Sequence, residues 1–193
     1  MFSERRGSTG GTHVNELDTM TRVEAAEAIR NLKKVILPVG ATEQHGPHLP
    51  LGTDTFLAEH MAQRLALRIG AVVLPPLPIS YSWVWRNLPG TIVISVETLK
   101  NLIKDICKSV AAWSADQLVI INAHGANDSM LKYAVREVSD ELPLRVFYFT
   151  YPGVDAATEG VVESERWHGM IHACEVETSW MLATRPDLCH MDR

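Results

Sequence analysis

The sequence has few cysteines, and their spacing excludes a framework of disulfide bonds. Only three of the 193 residues are cysteines: Cys107, Cys174 and Cys189. Their number is odd, they lie far apart, and no two of them form a CxxC pair. A disulfide-stabilised secreted domain would need an even and more closely spaced set. We therefore expect reduced thiols and a reducing compartment.

The sequence also lacks an excess of basic residues and any long apolar run. Its 18 lysines and arginines are outnumbered by 23 acidic residues, and no basic stripe is present to neutralise a phosphate backbone. No apolar run approaches the ~20 residues that cross a bilayer, and the start, MFSERRGSTGG, has no apolar signal segment. We predict a cytoplasmic protein that binds neither nucleic acid nor a membrane.

Short β-branched runs alternate with amphipathic helical patterns along most of the chain. The runs predict buried strands over 35–39, 71–74, 91–95, 117–122 and 145–150. Apolar residues at helical spacing predict helices over 22–31, 57–69, 99–110 and 128–142. This alternation is typical of an α/β fold, here a three-layer α/β/α sandwich with a mostly parallel central sheet. Residues 1–20 predict a flexible arm, which leaves 21–193 as a single domain.

Ligand-type side chains follow two of the predicted strands. Glu43, His45 and Asp54 follow the first strand in GATEQHGPHLPLGTDT, and His124 follows a later strand in INAHGAND. In open α/β sheets, ligands bind at the loops that follow the carboxyl ends of the strands. Imidazole and carboxylate ligands suit Zn, Mn or Fe, and a carboxylate such as Asp54 can bridge two ions about 3.5–4 Å apart. The pattern predicts a metal site at this edge.

A third cluster of ligand-type residues lies near the end of the chain, in WHGMIHACEVETS. It contains His168, His172, Glu175 and Glu177. A helix there would place His168 and His172 on one face, and Glu175 would share that face with His172. A single histidine or glutamate is usually a surface or capping residue, but five of the eight histidines fall in these three clusters. A solvated surface does not account for that concentration.

Four segments resemble the signature segments of the creatininase family, in order and in spacing: GATEQHGPHLPLGTDT, LPGTI, INAHGAN and HACEVETS. Members of that family include creatinine amidohydrolases, a formamide-cleaving deformylase of flavin and deazaflavin biosynthesis, and a peptide-trimming enzyme of mycofactocin maturation. The resemblance implies two divalent metal ions per chain. Glu43 and His124 would bind one ion, His45 would bind the other, and Asp54 would bridge them.

The second ion needs one more carboxylate. Creatinine hydrolases place it two residues after the strand-end histidine, but that position is Ala126 here. The resemblance therefore implies a later glutamate, for which Glu175 is the first choice. Glu177 is the alternative ligand, or the partner that orients a ligand histidine. His172 is expected to move a proton or to stabilise the oxyanion. The expected catalytic residues are His172 and the ligand Glu175.

The expected substrate pocket differs from that of many relatives. Where they carry Glu-His before the Pro-Gly-Thr-Ile turn, this chain has SYSWVWRNLPGTI and hence Trp83, Trp85 and Arg86. We expect these three residues and His168 to bind substrate, while core packing or a subunit contact would also suit the tryptophans. Arg86 is able to grip an anion through its planar fork. Together with Ala126, this difference argues against creatinine itself as substrate.

The resemblance implies a metal-dependent amidohydrolase-type hydrolase with a small-molecule substrate. Water activated by two metal ions would cleave a carbon–nitrogen bond in a cyclic amide, formamide or small amide. Two alternatives stay open. One is hydrolytic ring opening of a cyclic ketone or sugar-derived diketone at a carbon–carbon bond, and the other is a metal-binding scaffold without catalysis.

Three further expectations concern chemistry and assembly. Hydrolysis with Cys174 as the nucleophile is disfavoured. Residues one or two apart on a helix do not face each other, so an adjacent histidine would not contact the thiol, and no oxyanion loop is recognisable. Relatives form homo-oligomers, often hexamers, and the resemblance implies an oligomer here. Relatives also usually continue past the point where this chain stops, at Arg193, so two alternatives stay open: a short chain, or a C-terminal segment that is absent from this sequence.

Overall fold

The computed structural model describes residues 13–164 and 171–193. Its strands are β1 Asn15–Glu16, β2 Lys34–Val39, β3 Val72–Val73, β4 Gln117–Asn122 and β5 Arg145–Thr150. Its helices are α1 Arg22–Leu32, α2 Thr53–Ile69, α3 Val96–Ala112, α4 Asp128–Ser139, α5 Val154–Thr158 and α6 Glu175–Thr184. All strand pairs are parallel, and the order across the sheet is β1-β3-β2-β4-β5.

Helices cover both faces of the sheet because successive strand residues point to opposite sides. Leu37 and Ile120 belong to a core formed with α1, α3 and α4. Ile36 and Ile121 belong to a second core formed with α2 and α6. The predicted three-layer α/β/α architecture with a parallel sheet is therefore confirmed. No helix in 13–164 or 171–193 is both long and apolar enough to cross a membrane.

The predicted strand over 91–95 is wrong. Val93 forms only an isolated bridge with Ser80. The neighbouring amides bind two different segments, since Ile92 N donates to the Thr42 carbonyl and Ile94 N donates to the Ser80 carbonyl, each at 3.0 Å. A strand needs a continuous ladder against one partner, and this segment is divided between two.

The predicted flexible arm over 1–20 is wrong for its last residues. Asn15–Glu16 form β1, which pairs with β3, and Leu17–Thr19 form a 3-10 turn. Gln63 Nε2 donates to Glu16 Oε1 at 2.8 Å, and Leu17 packs against the core. Polar residues on a two-residue edge strand give no apolar pattern, so the sequence did not indicate this strand. Residues 1–12 lie outside the described residues.

The end of β2 and the start of α2 approach closely at Gly40. A Cβ atom at this position would lie 2.4 Å from both the Cα and the N of Thr55. Thr55 Oγ1 also donates to the Ala41 carbonyl at 3.0 Å. These contacts hold the first turn of α2, which includes Asp54, against the loop that follows β2.

Gly40→Ala is expected to lower the free energy of unfolding by about 1–3 kcal/mol, because the added methyl group meets backbone atoms that cannot rotate away. Gly125→Ala is the matched control, since a Cβ atom there would have nothing within 4 Å. Urea denaturation of the two variants checks this. Equal stability of both variants would contradict the close approach at Gly40.

Candidate metal centre

Ligand-type side chains from several elements meet at the carboxyl edge of the sheet. Five parts of the chain contribute. They are the loop after β2, the first turn of α2, the residue two positions after β4, the segment before α6 and the first turn of α6. The side chains are those of Glu43, His45, Asp54, His124, His172 and Glu177. All except that of His172 are almost completely buried.

The first group of ligand atoms comes from Glu43, Asp54 and His124, and these atoms lie within 4.8 Å of one another. His124 Nδ1 is 2.9 Å from Asp54 Oδ2 and 3.3 Å from Glu43 Oε1. Despite these distances, neither Glu43 oxygen nor Asp54 Oδ2 has a hydrogen-bond partner of acceptable geometry within the described residues. These carboxylate oxygens are buried, lack hydrogen-bond donors and lie beside an imidazole nitrogen. This is the arrangement expected of metal ligands.

The second group comes from His45, Asp54 and Glu177, again within 4.8 Å of one another. His45 Nε2 lies 3.0 Å from Asp54 Oδ1. Asp54 therefore offers one carboxylate oxygen to each group, Oδ2 to the first and Oδ1 to the second. This is the arrangement that a bridging carboxylate requires.

The histidine rings at this edge are oriented in the same way. One ring nitrogen of each lies against a main-chain carbonyl, and the other faces a carboxylate. A ring N–H that donates to a carbonyl leaves the second nitrogen available as a ligand or a base. The carbonyl partners are Tyr81 for His124 (2.9 Å), Glu43 for His45 (3.1 Å) and Gln44 for His172 (2.7 Å).

The site concentrates negative charge out of water. Glu43, Asp54 and Glu177 are 0%, 1% and 3% exposed. Burial opposes the charged imidazole of His124, but the carboxylates of Asp54 and Glu43 outweigh it and raise its pKa to about 10. Burial likewise opposes the charged form of Asp54, yet the neighbouring imidazoles of His124 and His45 lower its pKa. Buried carboxylates in this number require positive partners, and imidazole nitrogens with carboxylate oxygens suit Zn, Mn or Fe.

Glu177, and not Glu175, reaches this cluster. The Glu175 carboxylate accepts hydrogen bonds from the main-chain amides of Glu163 (2.9 Å) and Ser164 (2.8 Å). These bonds lower its pKa. Side chains two positions apart on a helix point in directions that differ by about 200°. Glu175 and Glu177 therefore lie on opposite sides of α6. The structure therefore does not bring Glu175, the first choice of ligand, to the site. Glu177, the alternative, lies there instead.

The helix predicted to carry both His172 and Glu175 is also wrong. Helix α6 begins only at Glu175, and Ala173 has a φ of 47°, in the left-handed region. His172 thus lies in a turn before the helix and reaches the cluster from there. His168 lies outside the described residues.

The predicted substrate residues separate into two positions. Trp85 stacks on His172, with ring centroids 4.8 Å apart and planes at 22°, and so lies beside the ligand cluster. Trp83 is 54% exposed. Arg86 lies over the Trp83 ring at 4.6 Å and donates to the Trp83 carbonyl at 2.8 Å. Trp85 is therefore next to the site, whereas Trp83 and Arg86 pair with each other on the surface.

Two residues that contact the cluster were not indicated by the sequence reasoning. Gln44 Oε1 accepts from Gly46 N at 3.0 Å, which holds the Gln44 amide nitrogen 2.9 Å from His172 Nε2. Tyr151 places its buried hydroxyl 2.8 Å from Glu177 Oε1. Tyr151 follows β5 directly, so the strand-end rule that selected the residues after β2 and β4 also applied to it.

The geometry agrees with similarity to known proteins. The family model described as creatinine amidohydrolase matches residues 18–193. A mycofactocin precursor peptide peptidase of Mycobacterium ulcerans (strain Agy99) is 34% identical over 168 residues, which is 82% of this chain and 61% of that protein. A 3-dehydro-scyllo-inosose hydrolase of Thermotoga maritima is 28% identical over 179 residues, 90% of this chain and 57% of that protein.

Solved structures give the same picture. A creatininase described as a Mn form superimposes with a TM-score of 0.82 and 30% sequence identity, covering 94% of this chain and 77% of its own. By contrast, this chain spans less than two thirds of the length of the peptidase and of the inosose hydrolase. The range matched by the family model contains strands β2 to β5 and every residue of the ligand cluster.

Glu177→Gln is expected to lose one of two bound ions, and Glu175→Gln is expected to lose none. The two variants make the same chemical change two residues apart, but only Glu177 offers an oxygen to His45 and Asp54. Elemental analysis after reconstitution with Zn or Mn measures the difference. Loss of an ion from Glu175→Gln alone would return the ligand role to Glu175.

Proposed function

This chain belongs to the creatininase family, and we propose that it is a metal-dependent hydrolase that cleaves a carbon–nitrogen bond in a cyclic amide, formamide or small amide. The observation that carries the proposal is the pair of ligand groups that share Asp54. We infer that each group holds one divalent ion, Zn, Mn or Fe. The donor set supports this, because oxygens of Glu43 and Asp54 are buried without donors in the described part of the chain.

Two divalent ions at this edge would supply a water of lowered pKa and a polarised substrate carbonyl. His172 is suited to move the proton to the departing nitrogen. Its side chain is 20% exposed, while that of Glu43 beside it is 1% exposed, so His172 is the cluster member that substrate can reach. The Gln44 carbonyl fixes its Nε2, and its Nδ1 lies 3.4 Å from Glu43 Oε1. Stacking on Trp85 holds the ring in this position.

We propose that Trp85 forms one wall of the substrate pocket. The stacked Trp85 and His172 rings present an apolar surface beside the ligand cluster, which suits a planar amide or a small ring. Roles for Arg86 and Trp83 in substrate binding stay predictions, since Arg86 packs on Trp83. The cytoplasmic location and the homo-oligomer also stay predictions.

Ring opening at a carbon–carbon bond is the second candidate. The similarity to a 3-dehydro-scyllo-inosose hydrolase favours it. The same ligand cluster and the same His172 would serve, with the proton delivered to carbon instead of nitrogen. Product analysis separates the two reactions, because only the first frees a nitrogen group, as ammonia, as an amine or, from a cyclic amide, as a new amino group within the ring-opened product. A cysteine nucleophile is disfavoured, since burial and the neighbouring Glu177 raise the pKa of Cys174.

Asp54→Asn is expected to lose both ions and all turnover, because one residue serves both groups. Asp128→Asn is the matched control. Asp128 also lies in the first turn of a helix, and its carboxylate accepts from Thr150 Oγ1 at 2.9 Å. Metal content and circular dichroism are measured on both variants. The shared-ligand arrangement would be rejected if Asp54→Asn kept two ions.

His172→Ala is expected to keep its metal and fold but to lose about 10²–10⁴ in turnover, the range for a positioned acid–base group. Turnover is measured on the best substrate from a panel of cyclic amides, formamides, short peptides and cyclic ketones. His190→Ala is the control, because His190 is exposed and its main-chain N binds the His48 carbonyl. Parallel loss of metal and activity would make His172 a ligand, and normal turnover would end its proposed role.

A further inference from the structure

Tyr151 has an unusual backbone conformation directly after β5. Its φ is 44°, in the left-handed region that bulky residues rarely adopt, and its side chain is buried at 8% exposure. Its main-chain N continues the ladder by donating to the Asn122 carbonyl at 3.0 Å. Such conformations persist where the surroundings hold them firmly, and they concentrate at functional sites.

The Tyr151 hydroxyl contacts one member of the second ligand group and the main chain next to the first. It is 2.8 Å from Glu177 Oε1 and also within hydrogen-bond distance of the Ala123 carbonyl. Ala123 directly precedes His124, a ligand of the first group, while Glu177 belongs to the second. Both partners are acceptors and a phenol has a single proton, so the hydroxyl either shares this proton between the Ala123 carbonyl and the Glu177 carboxylate or donates it to one of them at a time.

Within 13–164 and 171–193, the Glu177 carboxylate has one hydrogen bond besides that with Tyr151. Its Oε2 accepts from Cys174 N at 3.3 Å, a long bond within its own helix end. The last torsion of a glutamate is broad, so one such contact leaves the carboxylate free to turn away from His45 and Asp54. The Tyr151 hydroxyl is the contact from outside α6 that opposes this rotation.

We propose that Tyr151 is a positioning residue of the metal centre, whose hydroxyl orients the Glu177 carboxylate for the second ion and ties it to the strand end that carries His124. The inference rests on the proposed function, in that Glu177 must bind a cation. Groups that hydrogen-bond to metal ligands commonly change metal affinity by 10–100-fold when they are removed. The effect should fall on the second ion, since Glu43, Asp54 and His124 keep their positions.

The test compares Tyr151→Phe with Tyr148→Phe. Each substitution removes one tyrosine hydroxyl, but Tyr151 directly follows β5, whereas Tyr148 lies within β5 and packs against the core on the opposite face of the sheet. Zn and Mn binding to metal-stripped protein is followed by calorimetry with a competing chelator. Tyr151→Phe should weaken one of the two sites by about 10–100-fold, and Tyr148→Phe should weaken neither. Excess Mn should restore the turnover of Tyr151→Phe with an unchanged KM.

A second variant separates positioning from folding. In the Glu177→Gln background, Tyr151→Phe should change the affinity of the remaining ion less than about twofold, because its target carboxylate is already gone. Unchanged affinity at both sites of Tyr151→Phe, or loss of both ions together with altered circular dichroism, would overturn the inference and leave the proposed function standing. A wild-type chain that binds no Zn or Mn would instead refute the proposed function.

Discussion

The burial of several carboxylates at one edge of the sheet is the constraint on which the rest of the site depends. Glu43, Asp54 and Glu177 are almost completely removed from water, and they come from three separate parts of the chain. Such a cluster is stable only when positive charge lies between its members. Burial opposes positive charge on His45 and His124, but the neighbouring carboxylates outweigh it and raise the pKa of both imidazoles. Divalent ions would compensate for the carboxylate charge and fix the geometry.

The sheet explains why residues far apart in sequence meet. Parallel pairing of β2 with β4 aligns Val39 with Asn122, so the loop with Glu43 and His45 starts beside the residues that lead to His124. Gly40 then lets α2 approach closely enough to insert Asp54 between them. Main-chain carbonyls orient the three histidine rings, and of these carbonyls only that of Glu43 lies in the same loop as its histidine.

Much of this could be predicted from the sequence. The β4 and β5 strands match the predicted ranges. Continuous apolar runs are a strong signal for buried parallel strands, and β4 is one, but the prediction that 145–150 is buried is wrong, because β5 is an edge strand with no buried residue. Residues Glu43, His45, Asp54 and His124 follow such strands or begin the next helix, and the structure does bring them together. The edge strand β1 was not predictable in the same way, because its polar residues are held by main-chain pairing.

The choice between Glu175 and Glu177 depended on where α6 begins, and the position of a helix start is the least predictable feature of a sequence. The central claim is that two ions share Asp54, and anomalous diffraction from crystals grown with Mn or Zn tests it most directly. The account predicts two peaks per chain, one among Glu43, Asp54 and His124, the other among His45, Asp54 and Glu177. A single peak, or a peak coordinated by Glu175, would contradict it.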